Sequence, residues 1–301
     1  MLFTAIKPMT ASKGKEAFDD EQFLFEPMYG GVRLLLHKKG GRIEAYTRSG
    51  SIVTFKFPEL KEAAAQMTAE SAIVDCEGIV LRDGKPAFDD TLYRLRISQA
   101  AKIAGARMTH PATFVAMDVL YMDGPVLEEP LTMRKQRLNE LIAPSQTIAQ
   151  TMFVQGQGKA LFDLTGQMGL KGVVAKRKDS PYLPGARSED WIGITHPRTI
   201  DAVILGYTTN PLALRIGLHF RTVANKPVGV VKDGIKPQEA AAFLKTAVRL
   251  HTFSNHGTQW IEPCLCCRIQ YLDSSELHQL QDITFLGFLP EKRPEDCMWS
   301  Y

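Results

Sequence analysis

An α+β unit followed by a smaller all-β barrel is the fold class this sequence predicts, and three observations carry it. Short apolar or alternating runs bounded by Gly, Pro or Asp recur through the first two thirds of the chain. Helical periodicity falls between those runs rather than in a separate block. After a proline-bearing break at residues 196–199 the strand-like runs become short, with one helical stretch among them.

Taken in order, strands are predicted at residues 32–37, 42–47, 72–81, 113–121 and 172–176. Helices are predicted at 57–67, which opens after a proline turn, at 132–142, where Thr132 offers an N-cap, and at 158–168. The glycine pair Gly156 and Gly158 lacks the Lys-Ser/Thr continuation of a phosphate loop and reads as a turn. Beyond the break come strands at 201–207, 214–223 and 228–231, a helix at 237–250 and a strand at 260–271. The domains are therefore placed at residues 1–198 and 199–301.

The 301 residues, 45% hydrophobic and 23% charged, have the composition of a globular protein and not of a disordered one. No run approaches the ~18 apolar residues of a membrane span, and the N-terminal residues carry no signal-peptide core, so a cytoplasmic protein is expected. Residues 199–301 hold ten basic and ten acidic side chains, leaving the net charge of +3 in the first domain. A duplex-binding face would have to come from clustering, with Arg94, Arg96, Lys176, Arg177, Lys178 and Arg187 as candidates. Four of the five cysteines (Cys76, Cys264, Cys266, Cys267, Cys297) crowd the C-terminal end. Alternation within 260–271 sets Cys264 and Cys266 on one face and Cys267 on the other. Without paired CxxC spacing they read as buried thiols rather than zinc ligands. The seven histidines show no metal-binding spacing.

The stretch Glu26-Pro27-Met28-Tyr29-Gly30-Gly31-Val32-Arg33 resembles the nucleophile loop of ATP-dependent DNA ligases, Lys-x-Asp-Gly-x-Arg. Further stretches in the family's order are similar to its other motifs. They are Tyr46-Thr47-Arg48-Ser49-Gly50, Val74-Asp75-Cys76-Glu77, the run from Phe114 to Gly124, Lys171-Gly172-Val173-Val174-Ala175-Lys176, Ser188 to Thr195, and Phe285 to Lys292. The likeness is to short bacterial ligases and end-joining ligase modules, and it covers the whole chain. It implies a nucleotidyltransferase (adenylation) domain followed by an oligonucleotide-binding (OB) fold.

The same alignment of motifs shows what has changed. Met28 stands at the position of the lysine that attacks the α-phosphate of ATP, and a thioether forms no stable phosphoramidate. Gly30 replaces the motif aspartate, and Met117 the aromatic that stacks on adenine. Lys171 replaces a glutamate that would help hold the catalytic metal. Gly193 and Thr195 replace two lysines at the α-phosphate, and Leu289 an arginine. Nucleotidyl transfer depends on positioned cations that offset phosphate charge, so these losses strike several parts of one reaction. The expectation is a ligase homologue without self-adenylation, a pseudoenzyme. The resemblance assigns reversible ATP or AMP binding to Glu26, Arg33, Arg48, Glu77 and Met117, with Glu77 the remaining contact for a nucleotide-dependent Mg²⁺. Nicked or broken duplex DNA and DNA repair proteins are the implied partners. The alternative is an active ligase with an unconventional nucleophile. Lys38, Lys39 and Lys176 are the obvious lysines for it, and all three read as solvated surface residues.

Overall fold

The computed structural model describes residues 1–299; Ser300 and Tyr301, the last two positions of the expected second domain, lie outside the described residues. The chain divides into two compact units, Met1–Thr195 and His196–Tyr301.

In the first unit the strands are β1 (Thr10–Lys13), β2 (Phe23–Met28), β3 (Val32–Lys39), β4 (Arg42–Thr47), β5 (Ser71–Arg82), β6 (Lys85–Pro86), β7 (Ala112–Met122), β8 (Ile148–Gln150), β9 (Val154–Gln155), β10 (Gly172–Arg177) and β11 (Arg187–Thr195). The helices are α1 (Leu60–Ala65), α2 (Phe88–Arg96), α3 (Ala100–Thr109), α4 (Leu131–Leu141) and α5 (Gly158–Gln167). Two sheets result, ordered β1-β11-β10-β2-β9 and β4-β3-β5-β7-β8, with β6 hooked onto β5.

Strand alternation sorts the side chains. On β3 and β5, Leu34, Leu36, Val74 and Cys76 enter one core with Phe57, Phe114 and Leu138. Their neighbours Leu35 and Ile73 turn the other way and join Met9, Tyr182 and Trp191, side chains of the first sheet and its connections, in a second buried cluster. On β2, Phe23 and Phe25 pack with Leu161 of α5, which frees Leu24, Glu26 and Met28 for the opposite face.

His37 on β3 is buried, and its Nδ1 accepts the Phe3 N–H at 3.0 Å. Burial, only partly offset by Glu44, lowers its pKa from 6.5 to about 4. The unfolded chain takes up this proton near pH 6.5 while the folded chain refuses it until about pH 4, so stability should fall as pH falls through that window, by about 3 kcal/mol. His37→Asn keeps an acceptor for Phe3 and should flatten this part of the denaturation-versus-pH curve. An unchanged slope would reject the assignment.

The second unit contains β12 (Arg198–Thr209), β13 (Leu212–Leu218), β14 (Lys226–Val231), helix α6 (Pro237–Ala247), β15 (His251–Asn255), β16 (Thr258–Ile261), β17 (Cys266–Tyr271), β18 (Asp273–Ser274), β19 (Leu280–Gln281) and β20 (Thr284–Phe288). The main sheet runs β14-β13-β12-β16-β15, with β17 joining β12 to β20. Its core gathers Ile204, Leu214, Val228, Phe243, Ile269 and Phe285.

Several expectations need correction. The strand expected at 260–271 is two strands, because Pro263 has no N–H to donate and the chain turns there. Cys264 therefore sits exposed in the break, while Cys266 and Cys267 are both buried. Strand 214–223 stops at Leu218, and helix 237–250 ends its α-helical part at Ala247. Helix 57–67 contracts to α1, and Thr132 lies inside α4, whose N-cap is Pro130. Helices α2 and α3 were not among the expected elements.

Candidate functional site

Three strands of the first sheet set the site's first wall. The registers place Leu24, Lys176 and Trp191 in one cross-strand row, Glu26, Val174 and Gly193 in the next, and Met28, Gly172 and Thr195 in the last. Met28 is thus the final residue of a strand and not part of a free loop. The Lys171 N–H donates to the Met28 carbonyl at 3.0 Å. A Cβ added to Gly193 would lie 4.0 Å from the Met28 methyl, and one added to Gly30 would lie 3.7 Å from the Lys171 Cβ. Four of the changed motif positions, Met28, Gly30, Lys171 and Gly193, are therefore neighbours in space, and Thr195 lies across Gly172 from Met28. Gly30 has φ +76°, a left-handed conformation that glycine adopts without steric cost.

Glu26 is buried on this wall and holds two cations. Lys135 Nζ, from α4, is 2.5 Å from its Oε1 and Lys176 Nζ is 2.8 Å from its Oε2. The Lys135 ammonium also donates to the Met117 carbonyl at 2.6 Å. Met117 is the extra residue of a bulge on β7, since Asp75 pairs with Asp118 and Cys76 with Ala116. Glu26 and Met117, 91 positions apart in the chain, are so joined through one lysine that the motifs do not contain. Burial lowers the Lys135 pKa, with Glu26 opposing and Lys176 adding to the shift. Burial raises the phenol pKa of Tyr29, with Glu26 and Glu77 adding to the shift and Thr151 opposing it.

The second wall comes from β3 and β5, where Arg33 and Glu77 are direct cross-strand partners. Arg33 makes a two-pronged ion pair with Asp75, one prong at 2.5 Å, and Tyr182 donates to the same carboxylate at 2.7 Å. The Tyr182 oxygen in turn accepts the Met9 N–H at 3.0 Å. Glu77 Oε1 accepts the Gly31 N–H at 2.5 Å. This approach needs glycine, because a Cβ at position 31 would come within 2.3 Å of the Gly78 carbonyl. Arg48 is exposed in the turn after β4. Leu289 belongs to the second unit, where its N–H donates to the Cys266 carbonyl and its side chain packs on the barrel core.

The lysine reading is corrected in two of three cases. Lys39 is exposed, but Lys38 is buried with its ammonium on the Met67 and Ala69 carbonyls, and Lys176 is held by Glu26 beneath the Trp191 ring at 4.2 Å. Of the candidates for a basic face, three are engaged by the fold, Lys176 as just described. Arg94 is fully buried and pairs with Glu59 at 2.7 and 2.9 Å, and Arg177 faces Asp190 at 3.4 Å. Lys135, Tyr29, Asp75 and Tyr182 are site residues the motif reading missed. Among them Tyr29 and Asp75 lay within quoted stretches, where neither was singled out.

The residues present do not make a Mg²⁺ site of their own. Lys171 brings a positive charge where a carboxylate ligand would serve, and one of the two Glu77 carboxylate oxygens already accepts from Gly31. Among the described residues no three His, Cys, Asp or Glu side chains gather in a metal-holding group.

Comparison with known proteins agrees with this geometry. Residues 1–194 match the family model of the ATP dependent DNA ligase domain. The multifunctional non-homologous end joining DNA repair protein LigD of Mycobacterium tuberculosis (strain ATCC 25618 / H37Rv) is 27% identical over 98% of this chain, and the match spans 40% of LigD. The SPbeta prophage-derived DNA ligase-like protein LigB of Bacillus subtilis (strain 168) is 33% identical over 67% of this chain and 72% of its own length. Among solved structures, mycobacterial DNA ligase D complexed with ATP and MES covers 98% of both chains with a TM-score of 0.58 and 27% identity. The ligase domain of M. tuberculosis LigD gives a TM-score of 0.57 at 26% identity. The fold is an α+β nucleotidyltransferase unit followed by an OB fold. No helix among the described residues is long and apolar enough to cross a membrane.

Proposed function

The chain belongs to the ATP-dependent DNA ligase family, and from the state of its cleft we infer that it is a non-catalytic member that has lost self-adenylation while keeping a place for a nucleotide. One observation carries this reading. At the strand end where the family's attacking amine belongs there is a thioether, flanked by Gly193, and the buried lysines of the same wall, Lys135 and Lys176, are both spent on Glu26. An ammonium held in a buried ion pair is not free to move in line with a leaving pyrophosphate. The domain division at residues 198 and 199, reversible ATP or AMP binding through Glu26, Arg33, Arg48, Glu77 and Met117, cytoplasmic residence, and binding of nicked or broken duplex DNA or of repair proteins complete the proposal. Its support is family membership and, for DNA, the end-joining relatives.

A second reading, an active ligase with an unconventional nucleophile, has one observation in its favour: Lys171, just before β10, donates its backbone N–H to the Met28 carbonyl, so a lysine adjoins the nucleophile position. The two readings separate on incubation with α-labelled ATP and Mg²⁺ or Mn²⁺, followed by denaturing electrophoresis and intact mass. No covalent AMP is expected on the folded protein. An adduct, with peptide mapping to name the residue, would establish the second reading and end the first.

A further inference from the structure

The segment between β8 and β9 brings an aromatic ring to a place where the motifs supply none. Phe153 is 41% exposed, yet its ring is fixed over the buried Lys135 ammonium, 5.7 Å from Nζ to ring centroid. That ammonium is the one joining Glu26 to the Met117 carbonyl. The segment is itself anchored to the cleft, because the Thr151 N–H donates to the Ala116 carbonyl at 2.8 Å. The ring is thus a positioned surface beside hydrogen-bonding groups, unlike a side chain on a free loop. Met117, by contrast, is 8% exposed and offers only a thioether.

We propose that Phe153 is the stacking platform for the purine ring of a nucleotide bound in this cleft. The proposal rests on the nucleotide-binding part of the function given above and adds to it the residue that grips the base. Planar bases stack on aromatic side chains with little regard to sequence, and loss of such a ring costs about tenfold or more in affinity. The cation behind Phe153 holds the ring in place by its attraction to the π face. Phosphates, which make no use of a ring, should not notice its removal.

The test is calorimetric titration of the full chain with ATP, AMP and inorganic tripolyphosphate. Phe153→Ala should weaken ATP and AMP by about tenfold or more and leave tripolyphosphate unchanged, and Phe153→Tyr should restore the nucleotide affinities. Wild-type binding of ATP that Phe153→Ala leaves intact overturns the platform alone. An equal loss for tripolyphosphate also overturns it, by showing a general disturbance of the cleft. Wild-type protein that binds neither ATP nor AMP overturns both the platform and the nucleotide-binding reading beneath it.

Discussion

Replacing Glu26 by glutamine should destabilise the first unit by about 3–5 kcal/mol, the cost of leaving buried charge without its partner. The substitution preserves shape and removes the carboxylate charge that pairs with both Lys135 and Lys176, each about 3% exposed at its side chain. Two ammonium groups would then share a pocket that excludes water. The pH dependence has a definite sign. Burial already lowers the Lys135 pKa, so the unfolded chain binds a proton more readily than the folded one below the ordinary lysine value. Stability carried by this group rises with pH through that window, and the deficit of the Glu26→Gln protein should shrink as the solution becomes more alkaline. Denaturant melts at several pH values check both statements. Adding Lys135→Met to Glu26→Gln should recover part of the loss, giving a coupling between neighbours that independent sites would not show. A Glu26→Gln protein as stable as the parent would mean that the three groups do not share the buried pocket described.

Met28→Lys should not restore covalent AMP, even though it returns the missing amine. A lysine there stands beside Lys171, and the positions that would supply cations to the α-phosphate remain Gly193 and Thr195. Transition-state charge would stay uncompensated, and such groups are commonly worth factors of ~100 or more each. The combined variant with Lys171→Glu, Gly193→Lys and Thr195→Lys should adenylate measurably. Space permits the change at 193, where every neighbour of an added Cβ is at ordinary contact distance, the nearest at 3.7 Å. The readout is the AMP adduct by intact mass. Adduct formation by Met28→Lys alone would show that the other changes are incidental to the loss.

The sequence made some of this legible and hid the rest for physical reasons. Strands β3, β5 and β7 announce themselves because one face of each is apolar at period two, and their expected ends fall within two residues of those observed. The break at Pro263 was hidden by the apolar Cys264 to Cys267 run, which continues the strand pattern across a residue that cannot join the ladder. In the cleft, Met28, Gly30, Lys171 and Gly193 were legible from motif position, and the structure brings them together. Lys176 was not, because a lysine reads as surface unless its counterion is known, and Glu26 lies 150 positions away. Lys135 and Phe153 belong to no motif, so only the fold reveals that they border the same space.

The ion pairs of the cleft also bear on how the history of such a chain is to be judged. Arg33 with Asp75, and Glu26 with Lys176, sit at positions that a motif count would score as retained reaction machinery. Each is also a buried or half-buried charge whose partner would be stranded by its loss, so folding alone opposes substitution there, whether or not a phosphate ever enters. Met28 and Gly193 carry no charge whose removal would strand a partner. Mutational drift in a lineage released from catalysis would therefore be channelled: it erases the groups that served only the reaction and spares those that also hold the walls together. The surviving half of a motif then measures the fold's dependence on charge, and not the activity left in the protein.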